Sequence, residues 1–254
     1  MRLHSKIFGE GTPFIILHGF LGMGDNWKTL GKRFSQLGYQ IHLIDQRNHG
    51  RSFHSDTFDY ELLAEDLLTY CTQYNVKKCI VLGHSMGGKT AMLFTALYPD
   101  LVNKLIVADI APRFYPIHHD AILEGLSALD FTTLKNRTQA DEQLSNYISE
   151  FGIRQFLLKN LYWVSQGQLG LRLNLNALKN NVSEVGEALP SHLKVETSTL
   201  FLRGDKSEYI GLDDEKQISV QFLNSDIVTI SNAGHWLHAE NPNEFFTAVS
   251  HFID

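Results

Sequence analysis

Six short apolar runs place the strongest constraint on how this chain can fold. They cover residues 14–17, 41–44, 79–82, 105–108, 200–202 and 227–230. The runs do not alternate regularly with polar residues, a pattern typical of strands covered on both faces, as in a parallel sheet. Helical patterns such as 60–74 and 89–98 lie between them. This alternation of strand and helix predicts βαβ units in a doubly wound sheet.

The alternation stops after Ala111 and resumes near Thr199. Between these positions no run is convincing as a strand, whereas 141–158 and 176–189 have amphipathic helical patterns. The chain has 254 residues and is 43% hydrophobic, which is enough for one sizeable core. We therefore expect an α/β core made of residues 1–111 and 191–254, with a helical insertion at residues 112–190.

Composition and charge argue against several classes of partner. The 22 Lys and Arg residues are outnumbered by 28 Asp and Glu residues, and no basic run is present, so nucleic-acid binding is not expected. No stretch approaches the roughly 20 apolar residues of a membrane span, and the first residues lack the apolar core of a signal peptide. Cys71 and Cys79 form no Cys-x-x-Cys pair and are expected to be reduced thiols. These features predict a cytoplasmic protein with no membrane partner.

A Gly-x-Ser-x-Gly pattern at residues 83–87 is the main sign of chemistry. By chance alone, a chain of this length and composition would hold roughly 0.1 such matches. Here the pattern directly follows the predicted strand 79–82 and precedes the predicted helix 89–98, the context that a nucleophile elbow requires. An ordinary N-cap serine is the simpler interpretation, but the context favours Ser85 as a nucleophile.

An oxyanion hole needs two further N–H groups near this serine. One donor in a nucleophile elbow is the amide of the following residue, here Met86. The second comes from a loop after an earlier strand, and His-Gly-Phe at 18–20 follows the run 14–17. The sequence therefore predicts that the Phe20 and Met86 amides bind the developing oxyanion.

The general base is expected late in the chain. His235 follows the last apolar run, 227–230, and would lie in a loop beside the elbow. His238 competes for this role, although the residues around it can begin a helix that turns away. His-His-Asp at 118–120 suggests a metal site, but no further ligands occur at a suitable spacing. We therefore expect no metal site.

Five motifs together resemble the α/β-hydrolase superfamily across nearly the whole chain. They are His-Gly-Phe at 18–20, Asp-Gln-Arg-Asn-His-Gly-Arg-Ser at 45–52, Gly-His-Ser-Met-Gly-Gly at 83–88, Asp-Ile-Ala-Pro at 109–112 and Gly-His-Trp-Leu-His-Ala at 234–239. The second and fourth look more narrowly like the YbfF group of bacterial esterases. The resemblance implies an α/β-hydrolase fold, with a mostly parallel central sheet, helices on both faces and a helical cap inserted after the sixth strand. It also implies hydrolysis of carboxylic esters, with acyl-CoA thioesters as further substrates, without a cofactor.

The acid of the expected triad is the point where this sequence departs from the family. Most members carry it after the seventh strand in a Gly-x-x-Asp pattern, but counting from Gly204 that position is Ser207. Asp205 lies two residues early and is a competitor. Asp109, just after the sixth strand, stands at the other ordinary acid position and is the acid that the YbfF resemblance implies. A turn or capping aspartate is the simpler alternative for Asp109.

These predictions combine into one mechanism. Ser85 attacks an acyl carbonyl, His235 takes its proton and Asp109 orients the imidazole, while the Phe20 and Met86 amides stabilise the oxyanion. The expected product is an acyl-enzyme on Ser85 that water hydrolyses. C–C bond hydrolysis and perhydrolysis on the same residues remain alternatives, as does a non-catalytic small-molecule-binding protein. The expected partner is a small acyl ester or thioester, and the oligomeric state stays open.

Other polar and apolar residues receive simpler predictions. Asp45, Arg47 and Arg51 are expected to stabilise a turn, and Asp66 is expected to be structural. The insertion would cover the site, with some of its apolar residues lining an acyl pocket and many packing between helices. The apolar residues considered for this pocket are Phe114, Tyr115, Phe156, Leu157, Tyr162 and Trp163.

Overall fold

A seven-stranded sheet forms the centre of the protein in the computed structural model, which describes residues 1–254. In chain order the strands are β1 (Ser5–Phe8), β2 (Thr12–Leu17), β3 (Tyr39–Ile44), β4 (Cys79–His84), β5 (Val102–Ala108), β6 (Leu161–Ser165), β7 (Gln168–Leu171), β8 (Ser198–Gly204) and β9 (Ser225–Ile230). The sheet order is β1-β3-β2-β4-β5-β8-β9, and only the β1–β3 pair is antiparallel. The predicted mostly parallel sheet is confirmed, whereas the edge strand β1 was not predicted.

Helices connect the strands and lie on both faces of the sheet, as the α/β-hydrolase fold requires. They are α1 (Lys28–Ser35), α2 (Tyr60–Gln73), α3 (Met86–Leu97), α4 (Asp120–Ser127), α5 (Arg137–Leu144), α6 (Phe151–Leu158), α7 (Leu175–Asn180), α8 (Val182–Gly186), α9 (Leu212–Gln221), α10 (Leu237–Glu240) and α11 (Pro242–Ile253). None of them combines the length and the apolar character that a membrane-spanning helix needs.

Strand β2 shows why the apolar runs do not alternate with polar residues. Phe14 and Ile16 pack into one apolar core with side chains of α1 and α11, whereas Ile15 and Leu17 pack into a second core with side chains of α2 and α3. All four side chains are at most 1% exposed. Burying each contributes about 1.5–3 kcal/mol relative to leaving it in water. Both faces of the sheet therefore demand apolar residues at successive positions.

Residues 112–190, which we name the inserted segment, lie between β5 and β8. Strand β5 is the fifth strand of this chain, and it corresponds to the strand before Asp109 that the family resemblance numbers as the sixth. The expectation that this segment contains no strand was wrong, because β6 and β7 pair as an antiparallel hairpin around Gly167. The two ends of the segment meet where the Leu189 amide donates to the Pro112 carbonyl at 2.8 Å.

The two helices predicted in this segment are each divided in the structure. The pattern at 141–158 corresponds to α5 and α6, and the pattern at 176–189 corresponds to α7 and α8. Asn136 caps α5 by accepting from the Gln139 amide, and Asn174 caps α7 in the same way. Such side-chain oxygens satisfy amides that a helix start leaves free.

The charged residues after β3 stabilise a turn, as predicted. The Asp45 carboxylate accepts from the amides of Gly24 and Arg51, at 2.7 and 2.9 Å. Arg47 makes a two-point ion pair with Asp66, at 2.6 and 2.9 Å. These pairs fix the β3 turn beside the loop that follows β2.

Cys71 and Cys79 are buried free thiols.

Candidate active site

Ser85 lies in the sharp turn between β4 and α3. Its φ of 53° is in the left-handed region, which is costly for a residue with a side chain. The flanking glycines permit this turn, since a Cβ on Gly83 would lie 2.0 Å from the Gly87 carbonyl oxygen, and a Cβ on Gly87 would lie 2.5 Å from that of His18. The turn holds Ser85 at the start of a helix and at the edge of a cavity.

Two free amides flank Ser85. The backbone N–H groups of Phe20 and Met86 have no acceptor in the protein, although most buried amides do. Phe20 borders one cavity that Ser85 lines, and Met86 borders a smaller space that Ser85 also lines. The arrangement can accept an oxyanion, because unpaired N–H groups attract negative charge and Met86 lies at the start of α3.

Two buried histidines hold the loop that carries Phe20. The His18 Nε2 atom accepts from the Gln46 amide at 3.0 Å, and the His49 Nε2 atom accepts from the Leu21 amide at 3.1 Å. Burial lowers the pKa of His18 to about 4 and that of His49 to about 3, so both rings stay neutral and able to accept. The loop position therefore depends on uncharged imidazoles.

His235 and Asp109 are in direct contact. The His235 Nδ1 atom donates to Asp109 Oδ2 at 2.8 Å, and the Asp109 side chain is fully buried. Asp109 has a φ of 53° and also accepts from the Gly204 amide at 3.1 Å and from the Ser207 hydroxyl. Because Nδ1 is the donor, Nε2 of His235 is the nitrogen left to act as an acceptor.

The imidazole of His235 is held by contacts on two further sides. The Tyr209 ring stacks on it with a centroid distance of 3.9 Å and an interplanar angle of 18°. His84 Nε2 donates to the His235 carbonyl oxygen at 2.8 Å. Neither contact was predicted, because both join residues that are far apart in the chain. The stack and the hydrogen bond limit rotation of the ring and its loop.

Ser85 and His235 border the same cavity but are not hydrogen-bonded to each other. Neither the Ser85 hydroxyl nor the His235 Nε2 atom has a partner within the protein. Catalytic hydrogen bonds are often long in the free enzyme and tighten only when substrate binds. The two atoms are therefore both free to engage a molecule in the cavity.

Asp205, the competing acid, serves the loop rather than the imidazole. Its carboxylate accepts from the amides of Asn232 and Ala233, each at 2.9 Å. These hydrogen bonds lower the pKa of Asp205, which is exposed. Asp205 fixes the turn that leads into His235, and of the two aspartates only Asp109 contacts the ring.

His238, the competing base, is part of the core. Its ring stacks on Trp27 with a centroid distance of 4.1 Å and an angle of 13°, and its side chain is 8% exposed. Burial lowers the pKa of His238 to about 3. The His238 Nδ1 atom is buried without a partner. His238 therefore lines the cavity with a ring that is held on Trp27, and it makes no hydrogen bond with the Ser85 hydroxyl.

We expect His238→Ala to destabilise the protein while sparing catalysis. Loss of the buried stack on Trp27 should cost roughly 2–4 kcal/mol of unfolding free energy, as for other large-to-small core changes. The kcat/KM for ester hydrolysis should stay within about tenfold of the wild-type value. Urea unfolding and steady-state kinetics measure the two effects. His238→Phe, which keeps the stack, should recover most of the stability, and loss of activity in that variant would contradict this assignment.

A cavity of about 220 Å³ opens beside Ser85 and His235. Its lining contains no Asp, Glu, Lys or Arg side chain. The apolar lining residues are Phe20, Leu21, Trp27 and Trp236 from outside the inserted segment, and Ile122, Ile153, Phe156 and Leu157 from within it. Such a surface suits an uncharged, largely apolar molecule.

Only some of the apolar residues predicted for the pocket line it. Phe156 and Leu157 do, and Tyr115 borders a smaller adjoining space. Phe114 is 52% exposed and lines neither space. Tyr162 and Trp163 lie on the β6–β7 hairpin, at a separate surface depression. These three candidates do not line the pocket, because apolar character alone does not reveal which way a side chain faces.

His118 and His119 border the space at Ser85 without forming a metal cluster. His118 Nδ1 contacts the Pro116 carbonyl and Nε2 contacts the Tyr209 hydroxyl, both at 2.9 Å. His119 lines the cavity next to Phe20, with a ring centroid distance of 5.1 Å. No group of three or more His, Cys, Asp or Glu side chains is placed to hold a metal ion.

We expect the protein to lose stability steeply below pH 6.5. Burial lowers the pKa of His18 and His42 to about 4, and that of His49 and His238 to about 3, from an ordinary value near 6.5. Between these values the unfolded chain binds the extra protons, so stability falls as the pH falls. Each histidine should cost roughly 1.5–2 kcal/mol between pH 7 and pH 5.

Denaturant unfolding at several pH values measures this effect as a slope. These four histidines should together take up about four protons on unfolding near pH 5, which corresponds to roughly 5 kcal/mol per pH unit. His84 and His119, whose pKa burial also lowers, should add to this slope. His42→Gln removes one titrating group far from Ser85 and should reduce the uptake by about one proton. An unfolding free energy that is constant from pH 7 to pH 5 would contradict the expectation.

The chain matches a protein-family model described as the alpha/beta hydrolase fold over residues 12–147. It is 37% identical to the mouse (Mus musculus) sn-1-specific diacylglycerol lipase ABHD11, over 98% of this chain and 84% of the relative. It is 30% identical to esterase YbfF of Escherichia coli, over 96% of this chain and 94% of the relative. A solved structure described as a marine microorganism esterase is 40% identical, with a TM-score of 0.94 and 99% of each chain covered.

Proposed function

Because the chain belongs to the α/β-hydrolase family, we propose that it cleaves carboxylic esters with Ser85, His235 and Asp109 as its catalytic triad. The chain is a carboxylic ester hydrolase, as are the relatives named as esterases and lipases. The proposal depends most on the geometry of the elbow. Ser85 and His235 line the same cavity, and the Nδ1 atom of His235 donates to buried Asp109.

Acylation follows from the positions of these atoms. The Ser85 hydroxyl oxygen attacks the ester carbonyl carbon while His235 Nε2 takes its proton. The carbonyl oxygen becomes an oxyanion that the Phe20 and Met86 amides bind. Asp109 stabilises the imidazolium. Breaking the C–O bond then releases the alkoxide, which takes the proton from Nε2 and leaves an acyl group on Ser85.

Deacylation repeats these steps with water. His235 Nε2 removes a proton from a water molecule, whose oxygen attacks the acyl carbonyl carbon. The same two amides bind the second oxyanion. Its collapse breaks the bond to Ser85, which regains its proton from Nε2, and the carboxylic acid leaves.

Uncharged esters fit the cavity better than charged ones. The lining offers neither a cation for a phosphate or carboxylate nor an anion for an ammonium group. Burying an unpaired charge there would cost several kcal/mol. Acyl-CoA thioesters remain chemically competent acyl donors, but their phosphates would have to lie outside the cavity. We therefore assign uncharged esters as the better substrates.

The inserted segment forms the cap of the proposed enzyme. Residues 112–190 supply His118, His119, Ile122 and three residues of α6 to the cavity lining. Residues 1–111 and 191–254 supply the triad and the oxyanion donors. The core therefore carries the reacting groups, and the cap determines much of the shape of the cavity.

Labelling with a fluorophosphonate tests the proposal directly. Intact-protein mass spectrometry should find one adduct, and peptide mapping should place it on Ser85. Unfolded protein is the control, because a serine outside the elbow has no base to activate it. Absence of labelling together with retained binding of uncharged esters would instead support a non-catalytic binding protein. Products of C–C cleavage or perhydrolysis would assign another reaction to the same residues.

A further inference from the structure

Two cavities of different size meet at Ser85. We name the space of about 220 Å³ the large chamber and an adjoining space of about 20 Å³ the small chamber. Both are bordered by Ser85, His118, His119 and Tyr209. His235 borders only the large chamber. An ester bound at Ser85 therefore has two unequal spaces for its two halves.

The small chamber is narrow and apolar. Its lining includes Met86, Ile110, Pro116, Val182 and Val185. A volume near 20 Å³ is room for about one water molecule or a methyl-sized group. No lysine, arginine, aspartate or glutamate borders it. It suits a short hydrocarbon group directly attached to a carbonyl carbon.

The wall formed by the end of α8 is held by three consecutive backbone carbonyls. The Val185 carbonyl accepts from the Tyr60 hydroxyl at 2.8 Å. The Gly186 carbonyl accepts from the Tyr115 amide at 2.8 Å and from Lys89 Nζ at 3.0 Å, and Lys89 also donates to the Glu187 carbonyl. Lys89 is itself buried, in the helix that begins after Ser85. These bonds tie the wall to the core, so the chamber does not widen easily.

The chemistry decides which half of the ester enters which chamber. The leaving oxygen must receive a proton from His235 Nε2, so the alcohol lies on the side of His235. We propose that the alcohol occupies the large chamber and that the acyl group occupies the small chamber. The preferred substrates are then short-acyl esters, acetyl or propionyl, of larger uncharged alcohols. This inference depends on the proposed function of Ser85 and His235.

Two matched substrate series test the assignment in the full-length protein. The first is a set of p-nitrophenyl esters from acetyl to decanoyl, and the second is a set of acetate esters of primary alcohols from methyl to octyl. We expect kcat/KM to fall at least tenfold from propionyl to hexanoyl esters. Lengthening the alcohol should leave kcat/KM unchanged or raise it.

Matched truncations in the two chambers then separate their roles. Val185→Ala enlarges the small chamber and should raise the hexanoyl-to-acetyl ratio of kcat/KM about tenfold. Ile153→Ala enlarges the large chamber and should change only the alcohol series. Val182→Ala gives a second test of the small chamber if Val185→Ala does not fold, and thermal unfolding establishes which variants are folded.

Three results would overturn the assignment. They are a wild-type optimum at octanoyl or longer, an unchanged acyl series in both small-chamber variants, or an extension of the acyl series by Ile153→Ala. Failure of the proposed function has a different signature, in which no ester of either series is cleaved and Ser85 takes up no fluorophosphonate.

Discussion

Ser85→Ala should fold normally and lose ester hydrolysis by about 10⁴-fold or more, because the members of a catalytic triad act as a unit. Alanine removes the attacking oxygen and leaves the rest of the cavity unchanged. The Ser85 side chain makes no hydrogen bond in the protein, and its backbone bonds at the elbow do not depend on the hydroxyl. The unfolding free energy should therefore change little.

The measurement combines kcat/KM on a short uncharged ester with denaturant unfolding. Ser219→Ala is the matched control, because this serine is exposed and bonds only to the Lys216 carbonyl of its own helix. It should keep wild-type activity. Turnover of Ser85→Ala near the wild-type rate would exclude Ser85 as the nucleophile.

Asp109→Asn should lower kcat by about 10⁴-fold, because it favours the wrong tautomer of His235. Oδ1 of Asp109 accepts from the Gly204 amide, so the asparagine oxygen should keep that position. The new NH₂ group then faces His235 Nδ1, where Oδ2 accepts in the native protein. A donor at this point forces the proton onto Nε2, which can no longer accept the proton of Ser85.

Asp205→Asn is the matched control for this change. The asparagine side chain can still accept from one of the two loop amides that Asp205 binds, so activity should fall less than tenfold. Both substitutions remove one negative charge and keep the side-chain shape, and asparagine tolerates the φ of 53° at position 109. The assignment is wrong if Asp205→Asn is inactive and Asp109→Asn is active. Modest losses in both variants would mean that the two carboxylates share the role.

The features of the fold that depend on residues close together in the sequence were the easiest to predict. The apolar runs identified six strands. Five of them are inner strands whose burial on both faces leaves little place for polar residues, whereas β9 is a mostly exposed edge strand that its three apolar residues still revealed. The elbow was predictable because strand, turn and helix follow one another within residues 79–98. The strand β1 has mostly half-exposed residues and left no such signal. The hairpin around Gly167 was missed because its exposed Trp163 and Val164 lack the pattern of a buried strand.

The long-range contacts of the site could not be predicted from local patterns. Tyr209 stacks on His235, and Trp27 stacks on His238, across separations that leave no periodic signal. Ser207 was recognised as the usual acid position, yet its donation to Asp109 became visible only in the structure. The residues around a serine in the sequence do not show whether its hydroxyl will donate to a carboxylate or to water.

The meeting of the two ends of the inserted segment has a consequence for evolution. Since the Leu189 amide bonds to the Pro112 carbonyl, the segment leaves and rejoins the core at two adjacent points. Closing a loop between adjacent points costs only about 0.6 kcal/mol more for each doubling of its length. Segments of very different length can therefore be exchanged here by recombination at the same two points. Exchange of this segment can therefore change which molecules the cavity admits, while the residues that carry out the reaction stay the same.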